Sequence, residues 1–103
     1  VIVADIVEEV GLVMGVPYAD IIGPTRTRFV VKARMTAAMV LHKRGMSLSQ
    51  IGRHLGGRDH STIIYSLDRV RYMMDKDPEY RSFIEEMASL KHYDLRPRLK
   101  LCA

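Results

Sequence analysis

The sequence predicts an all-α domain of about six helices around one core, with a central helix-turn-helix. Three observations lead there. Apolar residues recur at three- and four-residue spacing in segment after segment, and no stretch alternates as a strand would. Turn formers punctuate the chain at Gly15, Gly23-Pro24, Gly45, Gly56-Gly57 and Asp77-Pro78. Finally, 103 residues at 48% apolar composition suffice for one modest core, so residues 1–103 form a single domain.

Each element has its own justification. Val3, Ile6, Val7, Val10 and Val13-Met14 mark one face of a first helix over about residues 2–14, with Asp5, Glu8 and Glu9 on the other side and Gly15 at its end. Valines are modest helix formers, so packing must hold this segment. Pro17 suits the first position of a short helix containing Tyr18 and Ile21-Ile22. Gly23-Pro24 breaks the chain, and Thr25-Arg26-Thr27-Arg28 reads as an exposed basic loop. Residues 29–44 then form the longest pattern, carrying Val30, Val31, Ala33, Ala37, Ala38, Val40 and Leu41, a buried helix closed by Lys43-Arg44 and Gly45. Ser47 followed by Gln50 fits a capping box for a helix reaching about Leu55, with Leu48, Ile51 and Leu55 inward. Gly56-Gly57 makes the turn. Asp59 can cap the next helix, which runs through Ile63, Ile64, Leu67, Val70 and Met74. Asp77-Pro78 restarts the chain as cap and first residue, and Tyr80, Phe83, Ile84, Met87 and Leu90 give a last amphipathic helix. The end, from Lys91 to Ala103 with Arg96, Pro97, Arg98 and Lys100, reads as loosely held. Most of the methionines sit at core-like spacing.

Charge is distributed unevenly. Residues 1–23 contain Asp5, Glu8, Glu9 and Asp20 and no Lys or Arg, whereas residues 24–71 hold ten basic residues against Asp59 and Asp68. That middle block is where a polyanion would sit. The single Cys102 cannot form an internal disulfide, which fits a reducing compartment. No apolar run approaches transmembrane length, and the acidic first residues lack the charged start of a signal peptide. A cytoplasmic protein with no membrane partner is expected.

The run Gly56-Gly57-Arg58-Asp59-His60-Ser61-Thr62 places glycines, a cation and short polar side chains at the start of the second motif helix. Such a helix end suits the DNA major groove. Arg58 can reach a phosphate or base edge, Asp59 can accept from cytosine N4, and His60 and Ser61 are short enough to lie on bases or phosphates. Thr62 can offer its methyl to thymine and its hydroxyl to the backbone. Asp59 can equally be a plain N-cap, and the two roles can coexist. Arg26 and Arg28 form an arm suited to a narrow A·T minor groove. Lys32, Arg34, Arg53, Arg69 and Arg71 are candidates for phosphates.

No catalytic or metal arrangement emerges, and no cofactor is expected. His42, His54 and His92 lack ligand spacing, and Cys102 has no partner motif. Adjacent residues on a helix point about 100° apart, so Asp59, His60 and Ser61 do not make a proton relay. There is no glycine-rich phosphate loop of the nucleotide-hydrolase kind.

Ser47-Leu48-Ser49-Gln50-Ile51-Gly52 through Gly56-Gly57-Arg58-Asp59-His60-Ser61-Thr62-Ile63 resembles the signature of the C-terminal DNA-binding domains of bacterial DnaA replication initiators. The likeness extends through Thr25-Arg26-Thr27-Arg28, Val31-Lys32-Ala33-Arg34 and Ala37, and covers about residues 4–72. It implies a helical domain that binds short asymmetric A·T-rich duplex sites as a monomer. Arg26 or Arg28 would read the minor groove, and Asp59, His60 and Ser61 the major groove. Arg34, Thr62 and Arg69 would contact the backbone, and Leu48 would lie against DNA at the start of the supporting helix.

The chain departs from the family pattern at several points. Met35 replaces the usual glutamine, segment 42–46 is about one residue short, Tyr65 stands where many members have His, and Asp68 where a basic or neutral residue is frequent. Asp68 would oppose phosphates unless it pairs with Arg69, Arg71 or Arg53. The family's ATP-binding motor is not in this sequence, so the chain is either an excised terminal domain or a stand-alone regulator of replication or transcription. A competing reading makes the helix-turn-helix a scaffold and residues 78–103 the contact for a replication or regulatory protein, with Glu85 or Met87 as exposed contacts.

Overall fold

Helix α3 (Arg28–Lys43) is the axis of the fold. Its Val30, Ala33, Ala37, Ala38, Met39, Val40 and Leu41 are all buried, and the run of alanines lets neighbours approach closely. Five other helices pack against it: α1 (Val3–Met14), α2 (Tyr18–Ile22), α4 (Leu48–His54), α5 (His60–Lys76) and α6 (Pro78–Ser89). The computed structural model describes residues 3–89, and among these all regular structure is helical. The start of the first helix at residue 2, Leu90 and the basic tail lie outside the described residues.

Periodicity translates directly into burial. Ile6, Val7 and Val10 of α1, Ile21 of α2, Ile51 and Leu55 around α4, and Ile63, Leu67, Val70 and Met74 of α5 join one core. Each large aliphatic side chain buried this way contributes about 1.5–3 kcal/mol. Met39, Met74 and Met87 are interior, and Met14, Met35, Met46 and Met73 pack against the core from its edge.

The caps are those the sequence indicates. Ser47 and Gln50 form a complete capping box at α4. Asp77 ends α5 and opens α6, its Oδ1 accepting from the N–H groups of Glu79 and Tyr80, both at 3.1 Å.

Several expectations are corrected. Glu9 is buried rather than grouped with Glu8 on the wet face, because it lies three residues after Ile6 on the flank of the apolar stripe. Val13 is exposed at the far end of α1. Pro17 stands as the N-cap of α2, in extended conformation, and not inside its first turn. Met87 is fully buried, since it faces the core one turn after Ile84, and so cannot be a surface contact. Glu85 is exposed.

Helix α6 is part of the core and no mere appendage. Tyr80, Ile84 and Met87 insert between α3 and α5, and Tyr80 Oη meets Thr36 Oγ1 at 2.6 Å in the interior. Arg44 Nη1 donates to the Met87 carbonyl at 3.0 Å, binding the end of α3 to the end of α6.

Candidate nucleic-acid interface

The α4–α5 pair turns on Gly52 and Gly56. The Gly52 carbonyl accepts from the N–H groups of both Gly57 and Arg58 at 2.9 Å. A Cβ at Gly52 would collide with the Arg58 carbonyl, so only glycine lets the turn fold back on α4. Gly56 has φ +85°, and a Cβ there would strike the Ile22 carbonyl. The turn therefore rests on the end of α2, where the loop to α3 begins.

Beyond the turn, α5 opens towards solvent. Asp59 caps it, with Oδ1 accepting from the Thr62 N–H at 2.9 Å. That bond holds the Asp59 carboxyl below its ordinary range, so it is an anion at neutral pH. Asp59, His60, Ser61 and Thr62 are all exposed in the first turn. Buried Ile63, Ser66, Leu67 and Val70 face the other way and fix the helix on the core.

Arg26, in the loop between α2 and α3, is exposed, and so is Arg28, which opens α3 rather than ending the loop as expected. Arg34 holds the loop that carries Arg26. Its Nε donates to the Ile21 carbonyl at 2.6 Å, and its Nη2 reaches the carbonyls of Asp20, Gly23 and Thr25 at 2.9, 3.0 and 2.9 Å. Expected as a DNA-backbone contact, Arg34 is only 7% exposed and is committed to the protein's own main chain. The reason lies in its register: it follows Ala33 on the buried side of α3, beneath the loop.

Arg58, expected in the major groove, is similarly engaged. Its Nη1 donates to the Leu55 carbonyl and its Nη2 to Gly23 O at 2.7 Å. The Gly23 carbonyl thus accepts from two guanidiniums. Burial, with the neighbouring charge of Arg58, lowers the pKa of Arg34, and burial with the charge of Arg26 lowers that of Arg58. Both side chains remain protonated at neutral pH. Arg26, Arg34, Arg58, Gly56 and Thr62 line one cleft of about 730 Å³, with no carboxylate in its wall.

The remaining basic residues spread outward. Arg53, Arg69 and Arg71 are exposed, and Lys32 and Leu48 are half-buried. Lys32 Nζ sits 5.0 Å from the centre of the Tyr80 ring, and the Arg69 guanidinium 5.7 Å from that of Tyr72. Asp68 pairs with Arg71 at 3.1 Å, one of the pairings that would offset its charge.

Sequence reasoning missed the cluster of carbonyls at Asp20, Ile21, Gly23 and Thr25 that receives Arg34 and Arg58. One signal was available for Arg34, a cation on the buried side of an otherwise apolar helix. Phe29, 61% exposed beside the basic loop, was also passed over. Among the described residues, no helix is long and apolar enough to cross a membrane, and no group of three His, Cys, Asp or Glu could hold a metal ion.

Residues 3–70 match the family described as the bacterial DnaA protein helix-turn-helix. The chain is 33% identical over 85 residues to the chromosomal replication initiator protein DnaA of Thermomicrobium roseum, covering 82% of this chain and 18% of that protein. It is 31% identical over 78 residues to the DnaA of Gloeobacter violaceus (75% of this chain, 18% of that protein). The Enterococcus faecalis DnaA is 29% identical over 89 residues (85% and 20%). The chain therefore spans about a fifth of the length of these relatives. The glycines that fold the turn, the capped and exposed first turn of α5, and the basic loop held beside it all lie within the matched segment: the chain belongs to the bacterial DnaA helix-turn-helix family.

Proposed function

We propose that this chain binds double-stranded DNA, with the first turn of α5 in the major groove and Arg26, assisted by Arg28, in the adjacent minor groove. One observation carries the reading: the exposed first turn of α5, with Asp59, His60, Ser61 and Thr62, shares a cleft with exposed Arg26, on elements tied together by the Arg58 side chain on the Gly23 carbonyl. Asp59 can accept from cytosine N4 with the oxygen not used for capping. His60, Ser61 and Thr62 supply short donors and acceptors. Arg53, Arg69 and Arg71 would neutralise phosphates, which orient the protein without specifying sequence. Arg58 and Arg34 act here chiefly through the protein.

The target is a short asymmetric A·T-rich box of the initiator type, bound by one copy of the chain. Such binding serves replication initiation, or a regulatory role in replication or transcription, without catalysis by this domain. The setting is the bacterial cytoplasm, at the nucleoid. A replication or regulatory protein would find exposed Glu79, Glu85 and Glu86 on α6.

Fluorescence anisotropy on a duplex carrying the box, against a scrambled duplex, tests this directly. Specific binding at physiological salt is expected to be about 10³-fold tighter or more, with His60→Ala removing most of that margin. Equal affinity for both duplexes, together with failure to enrich any site from a random library, would overturn sequence reading.

A further inference from the structure

The two regions assigned to different grooves are joined by one side chain. Arg58 leaves the start of the α5 turn and reaches across to the α2–α3 loop. Its Nη1 binds Leu55 O on its own side, and its Nη2 binds Gly23 O on the other at 2.7 Å. Gly23 lies three residues before Arg26. The second guanidinium on that carbonyl, from Arg34, ties the loop to α3. Arg58 alone among the described residues ties it by side chain to the helix-turn-helix.

Backbone contact supports the same junction. The absent side chain of Gly56 makes room for Ile22 O, so the turn touches the end of α2 directly before the loop leaves it at Gly23. Like charges meet here as well: Arg26 and Arg34 both lie in the cleft that Arg58 enters, and no carboxylate lines it. Carbonyl oxygens are the groups that stabilise Arg58 in this position. A guanidinium suits the task because its planar fork spans two acceptors at once, whereas a lysine ammonium is a single point charge.

We propose that Arg58 is a positioning residue that holds the Arg26 loop in register with α5, so that minor-groove reading depends on a residue of the helix-turn-helix turn. This deepens the DNA-binding reading and rests on it. Geometry within the free protein then sets the offset between the two groove contacts before DNA arrives. Precise offset matters because a displaced Arg26 would still attract phosphates while losing the base edges in the groove.

Base analogues separate the two grooves. Replacing adenine by 2,6-diaminopurine adds an amino group in the minor groove and leaves the major-groove edge unchanged. An inosine·cytosine pair in place of A·T does the reverse. Anisotropy titrations at low ionic strength, where weakened complexes remain measurable, would compare the wild type, Arg26→Ala, Arg58→Lys and the double variant. Thermal melts would confirm that each is folded. The lysine variant retains the charge and is the least disruptive replacement.

The wild type should lose about tenfold in affinity on the diaminopurine duplex, and Arg26→Ala should abolish that penalty. Arg58→Lys is expected to abolish it too, while keeping the inosine·cytosine penalty. Adding Arg26→Ala to Arg58→Lys should then cost little more, since the loop contact is already lost. If Arg58→Lys keeps the diaminopurine penalty and only weakens binding to every duplex equally, Arg58 touches DNA as a charge and the positioning role is overturned. Additive losses in the double variant would have the same meaning. A wild type that does not distinguish the box from scrambled DNA would instead overturn the underlying DNA-reading assignment.

Discussion

Asp59 illustrates two demands on one side chain: its carboxylate caps α5 through the Thr62 N–H, and it also stands in the exposed turn proposed to meet bases. Replacing it with Ala should lower the Tm by a few degrees at neutral pH. The hydrogen bond depresses the carboxyl pKa in the folded state, so the cap's contribution is complete above the unfolded value of about 3.9 and is lost as pH falls through the folded value. Melting curves of wild type and Asp59→Ala should therefore differ at pH 7 and converge in strong acid. Arg34 makes the opposite case, a cation whose work is internal. Arg34→Met leaves the carbonyls of Ile21 and Thr25 without their donor and takes one of two donors from those of Asp20 and Gly23. Urea denaturation should show a loss of at least about 3 kcal/mol. A change in DNA affinity with unaltered stability would instead mark Arg34 as a surface contact.

At the scale of elements, α6 is the one whose role changes most between sequence and structure. The family match stops at residue 70, yet α6 begins at Pro78 and fills the space between α3 and α5. Because Thr36 Oγ1 donates to the Lys32 carbonyl, Tyr80 supplies the proton of the buried Tyr80–Thr36 bond. Tyr80→Phe should then cost about 1 kcal/mol. Ile84→Ala, which empties a fully buried position, should cost about 2–5 kcal/mol. If urea melts show neither loss, α6 is not integral to the fold. The capping box of α4 and the Asp59 cap of α5 were legible in sequence because caps are local: a side chain and an N–H three residues on. The destination of α6 was not, because its apolar face would suit an external partner as well as an internal one.

Across the whole molecule, the basic block from residue 24 to 71 resolves into two populations. Arg34, Arg44 and Arg58 turn inward to carbonyl oxygens, while Arg26, Arg28, Lys43, Arg53, Arg69 and Arg71, with half-buried Lys32, keep access to solvent. Only the second group can release counterions on binding a polyanion. Arg53→Ala should weaken binding to specific and scrambled duplexes alike, and reduce the slope of log K against log salt by about 0.9. A sequence-dependent loss would show instead that Arg53 reads bases.

The fold class, helix order, motif, caps and exposed turn of α5 follow from sequence, because each depends on residues within a turn or two of one another. Burial of Arg34 and the bridge from Arg58 to Gly23 depend on which carbonyls come within reach once separate helices pack. Arg58 and Gly23 are 35 residues apart. Composition counts both arginines among the surface charges, and a local pattern carries no record of main-chain oxygens delivered from elsewhere. Periodicity names the faces to be buried; only packing decides which polar groups those faces carry inside, and so which cations are left for DNA.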